Sequence, residues 1–250
     1  MLRALIWDVD GTVAETERDG HRIAFNQAFE ALGLPWRWDV AHYGDLLNVT
    51  GGRERLLHDM ASRADAPAGA PEREALAREL HRIKNVAYAD LVLQGGITPR
   101  PGVRRVVDEC RATGVALAVA TTTSRSNVEA LFGSIWGPDW ERIFTTVVCA
   151  EDAPVKKPHP QAYLLALQRL GVAANEALAL EDSPGGLAAA RAAGLACGVT
   201  KSVYFTDARF DGAAWVREDL DAPPPMTLAR LQDTLAGSIA ASSASSQVTT

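Results

Sequence analysis

From about residue 100 to residue 200 the chain alternates short apolar runs with amphipathic stretches, and glycine closes one stretch after another. That order confines it to repeated βα units on a parallel sheet. The spacing predicts a helix over 102–113, with Val103, Val106, Val107 and Cys110 on one face and Gly114 as its stop, then a strand over 115–120. A helix over 126–133, a strand over 143–149 and a helix over 160–170 stopped by Gly171 come next. A strand over 177–180, an Ala-rich helix over 184–193 with Pro184 near its start, and a strand over 196–200 complete the pattern. The expected class is α/β with a doubly wound parallel sheet.

Residues 15–95 are different: strand signals are scarce and helical periodicities long. Helices are expected over 19–32, 53–63 and 72–93, the last carrying Leu76, Leu80, Ile83 and Ala87 inward. This reads as an inserted all-helical cap, joined near Ala14 and through the Gly95-Gly96-Ile97-Thr98-Pro99 run, two linkers that permit hinge motion. The expected division is 1–14 with 98–225 as the α/β core, 15–97 as the cap, and 226–250 as a C-terminal piece. After the Pro223-Pro224-Pro225 run a short helix is expected over 228–235, and the small polar residues 238–250 read as a disordered tail.

With 250 residues and 47% apolar content, the chain can bury one large core or two modest ones. A net charge of −6 argues against a general binder of nucleic acid or anionic membrane. Cys110, Cys149 and Cys197, odd in number and set among apolar neighbours, read as buried reduced thiols. No apolar run reaches the length of a membrane span and no leader precedes the first strand, so a cytoplasmic protein is expected. A monomer is the expectation for a two-part chain of this size.

The chemistry begins at the N-terminus. The apolar run Leu2–Trp7 ends in Asp8 and Asp10, followed at once by Gly11 and Thr12. Two acids at the carboxyl end of a buried strand repel each other unless a cation or shared proton relieves them. Three more segments put reactive residues near strand ends: Thr121-Thr122-Thr123, Lys156-Lys157-Pro158 and Glu181-Asp182-Ser183. In a parallel sheet such ends face one way, so the four segments can converge.

The Asp-Val-Asp-Gly-Thr signature, the strand-end Thr121, the Lys157-Pro158 pair and Glu181-Asp182, in that order, resemble a haloacid-dehalogenase-superfamily phosphohydrolase with a Rossmann-like core and a helical cap. The resemblance spans residues 2 to about 200. It implies Asp8 as a nucleophile forming an aspartyl-phosphate, and Asp10 as general acid and base with its pKa tuned upward relative to its neighbour. It also implies Mg2+ held by the Asp8 carboxylate, the Asp10 carbonyl and Asp182, with Glu181 nearby through water. Hard oxygen ligands suit that ion. Lys157 would neutralise Asp8 and the transferring oxygens, the Thr121 hydroxyl and Thr122 amide would bind a phosphate oxygen, and Lys156 would be the solvated lysine of its pair.

Specificity belongs to the cap. Thr50-Gly51-Gly52-Arg53-Glu54 sets a flexible glycine pair before Arg53 at a helix start, His81, Arg82 and Lys84 form a second basic cluster, and Thr123, Arg125 and Asn127 add a group from the core. Cations beyond those a monophosphate needs point to a second phosphate on a small sugar substrate, although solvated helix charges are the bland alternative for Arg53 and Arg82. Together with Glu17, His21, Asn26 and Tyr43, these features resemble the CbbY-type branch, Rubisco-associated phosphatases of xylulose-1,5-bisphosphate. The β-phosphoglucomutase branch is its sister, and a non-catalytic binding protein on the same fold is the reading from another class.

Overall fold

The computed structural model describes residues 1–247, and its central element is β1 (Ala4–Trp7), every residue of which is buried. β1 lies inside a six-stranded parallel sheet of order β3-β2-β1-β4-β5-β6, built with β2 (Ala116–Ala120), β3 (Thr146–Val148), β4 (Ala177–Glu181), β5 (Ala196–Thr200) and β6 (Trp215–Arg217). Strand order reverses beside β1, and in open α/β sheets ligands bind at that switch point, outside the carboxyl ends of the strands. The register delivers the motifs there: Trp7 pairs with Val119 on one side and Leu180 on the other, so Asp8, Thr121 and Glu181 leave the sheet together.

Helices cover both faces. Against one lie α5 (Val103–Thr113), α6 (Arg125–Trp136) and α9 (Leu228–Gln247); against the other lie α7 (Gln161–Leu170) and α8 (Pro184–Ala192). Buried on both faces, the inner strands read as continuous Ala, Val and Leu rather than alternating residues. The three cysteines are buried and unpaired, and burial pushes the Cys110 and Cys149 thiols up to about 12.

Between β1 and α5 the chain builds a separate helical layer. A π-helical turn (Glu17–His21) runs into α1 (Arg22–Ala31), followed by α2 (Val40–Leu46), α3 (Gly52–Ser62) and α4 (Ala70–Leu93). Its apolar cluster is its own, with Trp38 fully buried among Phe25, Phe29 and Tyr43. The chain leaves and rejoins the sheet domain side by side, Ala14 and Pro99 forming an isolated antiparallel bridge.

Several expectations need correction. The fully buried line of α4 is Ala77, Leu80, Lys84, Tyr88 and Val92, while Leu76, Ile83 and Ala87 are half-buried. The helix is wedged between α1 and α6, and its buried stripe follows that double contact. α9 runs through 238–247, which the polar composition marked as a tail, because its serines alternate with strong helix-forming alanine; 248–250 lie outside the described residues. α2 and β6 are too short to leave a periodic signal.

Candidate active site

Asp8 emerges from β1 with its amide on the Leu180 carbonyl at 3.0 Å, which pins it beside β4. Its Oδ1 accepts a 2.7 Å hydrogen bond from Lys157 Nζ, and its Oδ2 accepts from Thr12 Oγ1 at 3.3 Å. Lys157 bonds equally to Glu181 Oε1 at 2.6 Å, and the Tyr163 hydroxyl donates to that same oxygen at 2.6 Å. Glu181 Oε2 takes the Asp182 amide at 3.2 Å. Both Glu181 oxygens are engaged by protein, and one of its tasks is to hold Lys157. Burial disfavours the Lys157 cation, but the two carboxylates outweigh that and raise its pKa above the ordinary lysine value.

Asp8, Glu181 and Asp182 bring carboxylate oxygens within 4.8 Å of one another, all buried, with Lys157 as the cation among them. Burial pushes Asp8 up to about 7, Lys157 opposing and Glu181 adding to the rise. Asp182 is also raised well above the carboxylate range, first by burial and then by Asp8 and Glu181. Three buried carboxyl groups against one ammonium leave the cluster short of positive charge, and the donor set is all oxygen. That is the chemistry of a divalent-cation site, and Mg2+ fits it. The Asp182 carboxylate is oriented by Ser202 Oγ, which donates to its Oδ2 at 2.6 Å. Gly11 lies against it: at φ +86° a Cβ there would stand 2.1 Å from Asp182 Oδ2, so only glycine lets the turn pass.

Asp10 faces the other way. Its Oδ1 accepts from Thr16 Oγ1 at 2.6 Å and meets His21 Nε2 at 2.8 Å, both at the start of the helical layer. Burial raises its pKa, but the His21 charge and hydrogen bond, aided by Thr16, leave it well below the carboxylate range. The expected order of the two acids is thus reversed by the protein groups alone: Asp8 is crowded by carboxylates, whereas Asp10 is given a partner. The His21 ring stacks on Tyr88 with centroids 4.2 Å apart.

Two cavities of about 320 Å³ each meet at Asp10, Glu17, Gly51, Arg55 and Thr122. One contains Asp8, Lys157 and Asp182 and is walled by Asn48 and Thr50. The other is lined by His21, Gly52, Arg53, Glu54, His81, Lys84, Thr123, Asn127 and Lys156. Lys84 is buried over the Phe25 and Tyr88 rings, and burial pushes it down to about 8. His81 is pushed down to about 4, by burial first and then by Lys84, His21, Lys156 and Arg53, so at neutral pH it is a neutral imidazole rather than one of the cations expected from sequence. Thr121 is buried behind Thr122, its Oγ1 accepting the Thr123 amide at 3.3 Å, and Asn127 donates to Thr123 Oγ1 at 3.0 Å. Gly51 sits at φ +100°, where a Cβ would lie 2.3 Å from Glu54 Oε2 and 2.7 Å from Lys156 Cε; the glycine pair serves close approach as well as freedom.

Five sequence readings do not hold as made. Arg82 is exposed and paired with Glu79 at 2.6 Å, outside both cavities. Arg125 turns to Asp152 and the Val147 carbonyl, each 3.1 Å away. Tyr43 stands behind the cavity wall, donating to Glu17 Oε2 at 2.5 Å and accepting from Arg55 Nη1 at 2.7 Å. Lys156, read as solvated, lines the cationic cavity, and Asn26 braces the Trp38 backbone through both its amide atoms. Sequence reasoning did not single out Arg55, Tyr163 or Ser202. Of these, only the Lys157-Pro158…Tyr163 spacing, which places Tyr163 in the first turn of α7 beside the lysine loop, offered a signal.

A doubly wound sheet with acid, lysine and hydroxyl groups at its switch point, roofed by an inserted helical layer, defines a class. The chain belongs to the haloacid dehalogenase-like hydrolase family, whose sequence profile matches residues 2–194, and it is a phosphatase. Among curated relatives it is similar to Protein CbbY of Rhodobacter capsulatus, 40% identical over 230 residues that cover 92% of this chain and 99% of the relative. It is 43% identical to the plasmid-borne CbbY of Cupriavidus necator over 224 residues, 89% of this chain and 87% of that one. The crystal structure of CbbY from Rhodobacter sphaeroides in complex with phosphate superposes with a TM-score of 0.84 at 40% identity, covering 90% of this chain and 98% of that chain. A β-phosphoglucomutase from Clostridium difficile shares the fold, with a TM-score of 0.75 at 18% identity. Among the described residues no helix is long and apolar enough to cross a membrane.

Proposed function

We propose that this protein is a Mg2+-dependent sugar-bisphosphate phosphatase that works through an aspartyl-phosphate on Asp8 and takes xylulose-1,5-bisphosphate as its substrate. The observation that carries the reading is the pair of joined cavities, one holding Asp8, Lys157 and Asp182, the other ringed by Arg53, Lys84 and Lys156. An anion-binding centre at each end suits a small molecule with a phosphate at each end. A mutant of Rhodobacter sphaeroides CbbY has been crystallised in complex with xylulose-1,5-bisphosphate; its chain is 39% identical to this one with a TM-score of 0.84.

Asp8, Asp182 and the Asp10 carbonyl would hold Mg2+, which supplies positive charge to the phosphate oxygens and to Asp8. An Asp8 carboxylate oxygen bonds to phosphorus as the ester P–O bond breaks, and the leaving oxygen takes a proton from Asp10. Water then attacks the phosphorus, Asp10 takes its proton, and the bond to Asp8 breaks to free phosphate. Lys157, held between Asp8 and Glu181, keeps Asp8 aimed and offsets charge on the transferring group. Thr16 Oγ1 and His21 Nε2 both meet Asp10 Oδ1 and fix the carboxyl group in place for these proton transfers.

Phosphate release measured with xylulose-1,5-bisphosphate, ribulose-1,5-bisphosphate, and β-glucose-1-phosphate primed with a hexose bisphosphate tests the substrate. Preferential release from the first is expected; isomerisation of the glucose phosphate without net release would replace this reading with a mutase. Asp8→Asn should abolish release in Mg2+ with the circular dichroism of the fold retained, and normal turnover by that variant would remove the nucleophile assignment.

A further inference from the structure

We infer that Arg100 is a positioning residue for the Asp182 carboxylate, gripping from behind the two backbone segments that aim it; this rests on the reading of Asp8 and Asp182 as metal-holding groups. Arg100 follows Pro99 at the point where the helical layer rejoins the sheet domain, and its side chain is only 8% exposed. The guanidinium spends its donors on main-chain carbonyls. Nη1 donates to Gly11 and, at 3.0 Å, to Thr200; Nη2 donates to Lys201 at 2.6 Å and to Glu218 at 2.5 Å. Nε faces Glu15 at 3.7 Å, and the Arg100 amide donates to the Val13 carbonyl at 2.8 Å.

Two of those carbonyls belong to the segments that touch Asp182. Gly11 packs so closely on Asp182 Oδ2 that a methyl group could not intervene, and Lys201 is bonded directly to Ser202, whose hydroxyl donates to the same oxygen at 2.6 Å. One planar fork thus sets the distance between the turn after β1 and the loop after β5, with the Asp182 carboxylate clasped between them. Lysine, a single ammonium with three donors, cannot span four carbonyls in that geometry.

The probe is Mn2+, titrated into metal-free full-length protein and read by electron paramagnetic resonance of the free ion, so that no turnover is needed. Arg100→Met should weaken Mn2+ binding roughly 10–100-fold, the effect typical of groups that orient a metal ligand. Ser202→Ala should weaken it as well, and the double variant should lose less than the product of the two because both act through Asp182. Arg105→Met is the control: Arg105 likewise holds main-chain carbonyls, those of Leu220 and Met226, but neither segment is one of the two that clasp Asp182, and its loss should lower stability but leave Mn2+ affinity unchanged. If Arg100→Met does not fold, Arg100→Lys carries the same expectation at the lower end of the range. An Arg100 variant that binds Mn2+ within twofold of wild type, while wild type binds it well, overturns this inference alone. Failure of wild type to bind Mn2+ overturns the metal-site reading and this inference with it.

Discussion

Gly185 and Gly186 are neighbours in the first turn of α8, and replacing each by alanine should move stability in opposite directions. A Cβ at Gly185 meets nothing within 4 Å, so Gly185→Ala should stabilise by up to about 1 kcal/mol, the difference in helix propensity. A Cβ at Gly186 would stand 1.9–2.1 Å from the Glu181 carboxylate, which must move. Overpacking costs roughly 1–3 kcal/mol, and disrupting the charge-assisted bond from Lys157 to Glu181 costs roughly another 1.5–3 kcal/mol. Set against the propensity gain, Gly186→Ala should lose roughly 2–5 kcal/mol. In a chain of this size each kcal/mol moves Tm by roughly 2–4 °C. Because Glu181 also holds Lys157 against Asp8, the variant should lose kcat as well. Urea midpoints at unchanged slope, with kcat for a simple phosphate ester, decide it. If the two alanines shift the midpoint in the same direction, or if Gly186→Ala keeps kcat within twofold, the packing of α8 on Glu181 is not what holds the lysine.

Two further outcomes follow from the helical layer. Lys84→Met should raise KM for a bisphosphate at least tenfold while leaving KM for a small monophosphate ester within about twofold, and equal effects on both would remove the second anion centre. In wild type the Lys84 charge is present below about 8 and is lost as pH rises through it, so KM for the bisphosphate should climb above that pH and the climb should vanish in Lys84→Met. Arg82→Ala should change stability by no more than about 0.5 kcal/mol and leave KM unchanged, since its ion pair with Glu79 is exposed; a severalfold rise in KM would return Arg82 to the site.

The fold was legible because each βα unit repeats a local pattern, an apolar run and then a helix stopped by glycine, and the parallel sheet follows from that repetition. Asp8, Thr121 and Asp182 could be singled out for the same reason, each standing at or beside a strand end, while Lys157, in the loop between β3 and α7, was marked by its Lys-Pro pair. What could not be read depends on contacts between distant parts of the chain. Arg55 looks like any charge in the first turn of a helix until Tyr43 and Glu17 close on it, and Ser202 looks like any loop serine until its hydroxyl meets Asp182. Arg82 and Arg125 failed because sequence spacing names a helix face but not the partner opposite it. The acidities of Asp8 and Asp10 came out in reverse because they depend on which carboxylates and which imidazole lie within a few ångströms, and adjacency in sequence is silent on that.

The bridge between Ala14 and Pro99 has a consequence for how such proteins diversify. Partners in an antiparallel pair have Cα atoms only about 4.5–5.5 Å apart, so to the sheet domain the whole helical layer is a loop whose two ends already touch. Such a loop can be lengthened, shortened or exchanged for another without altering the distance that the remaining chain must close. The sheet domain and the helical layer are therefore free to be inherited separately. A graft cut between residues 14 and 99 that keeps Thr16 and His21, the partners of Asp10, should change substrate preference while leaving phosphate release from a simple ester in place.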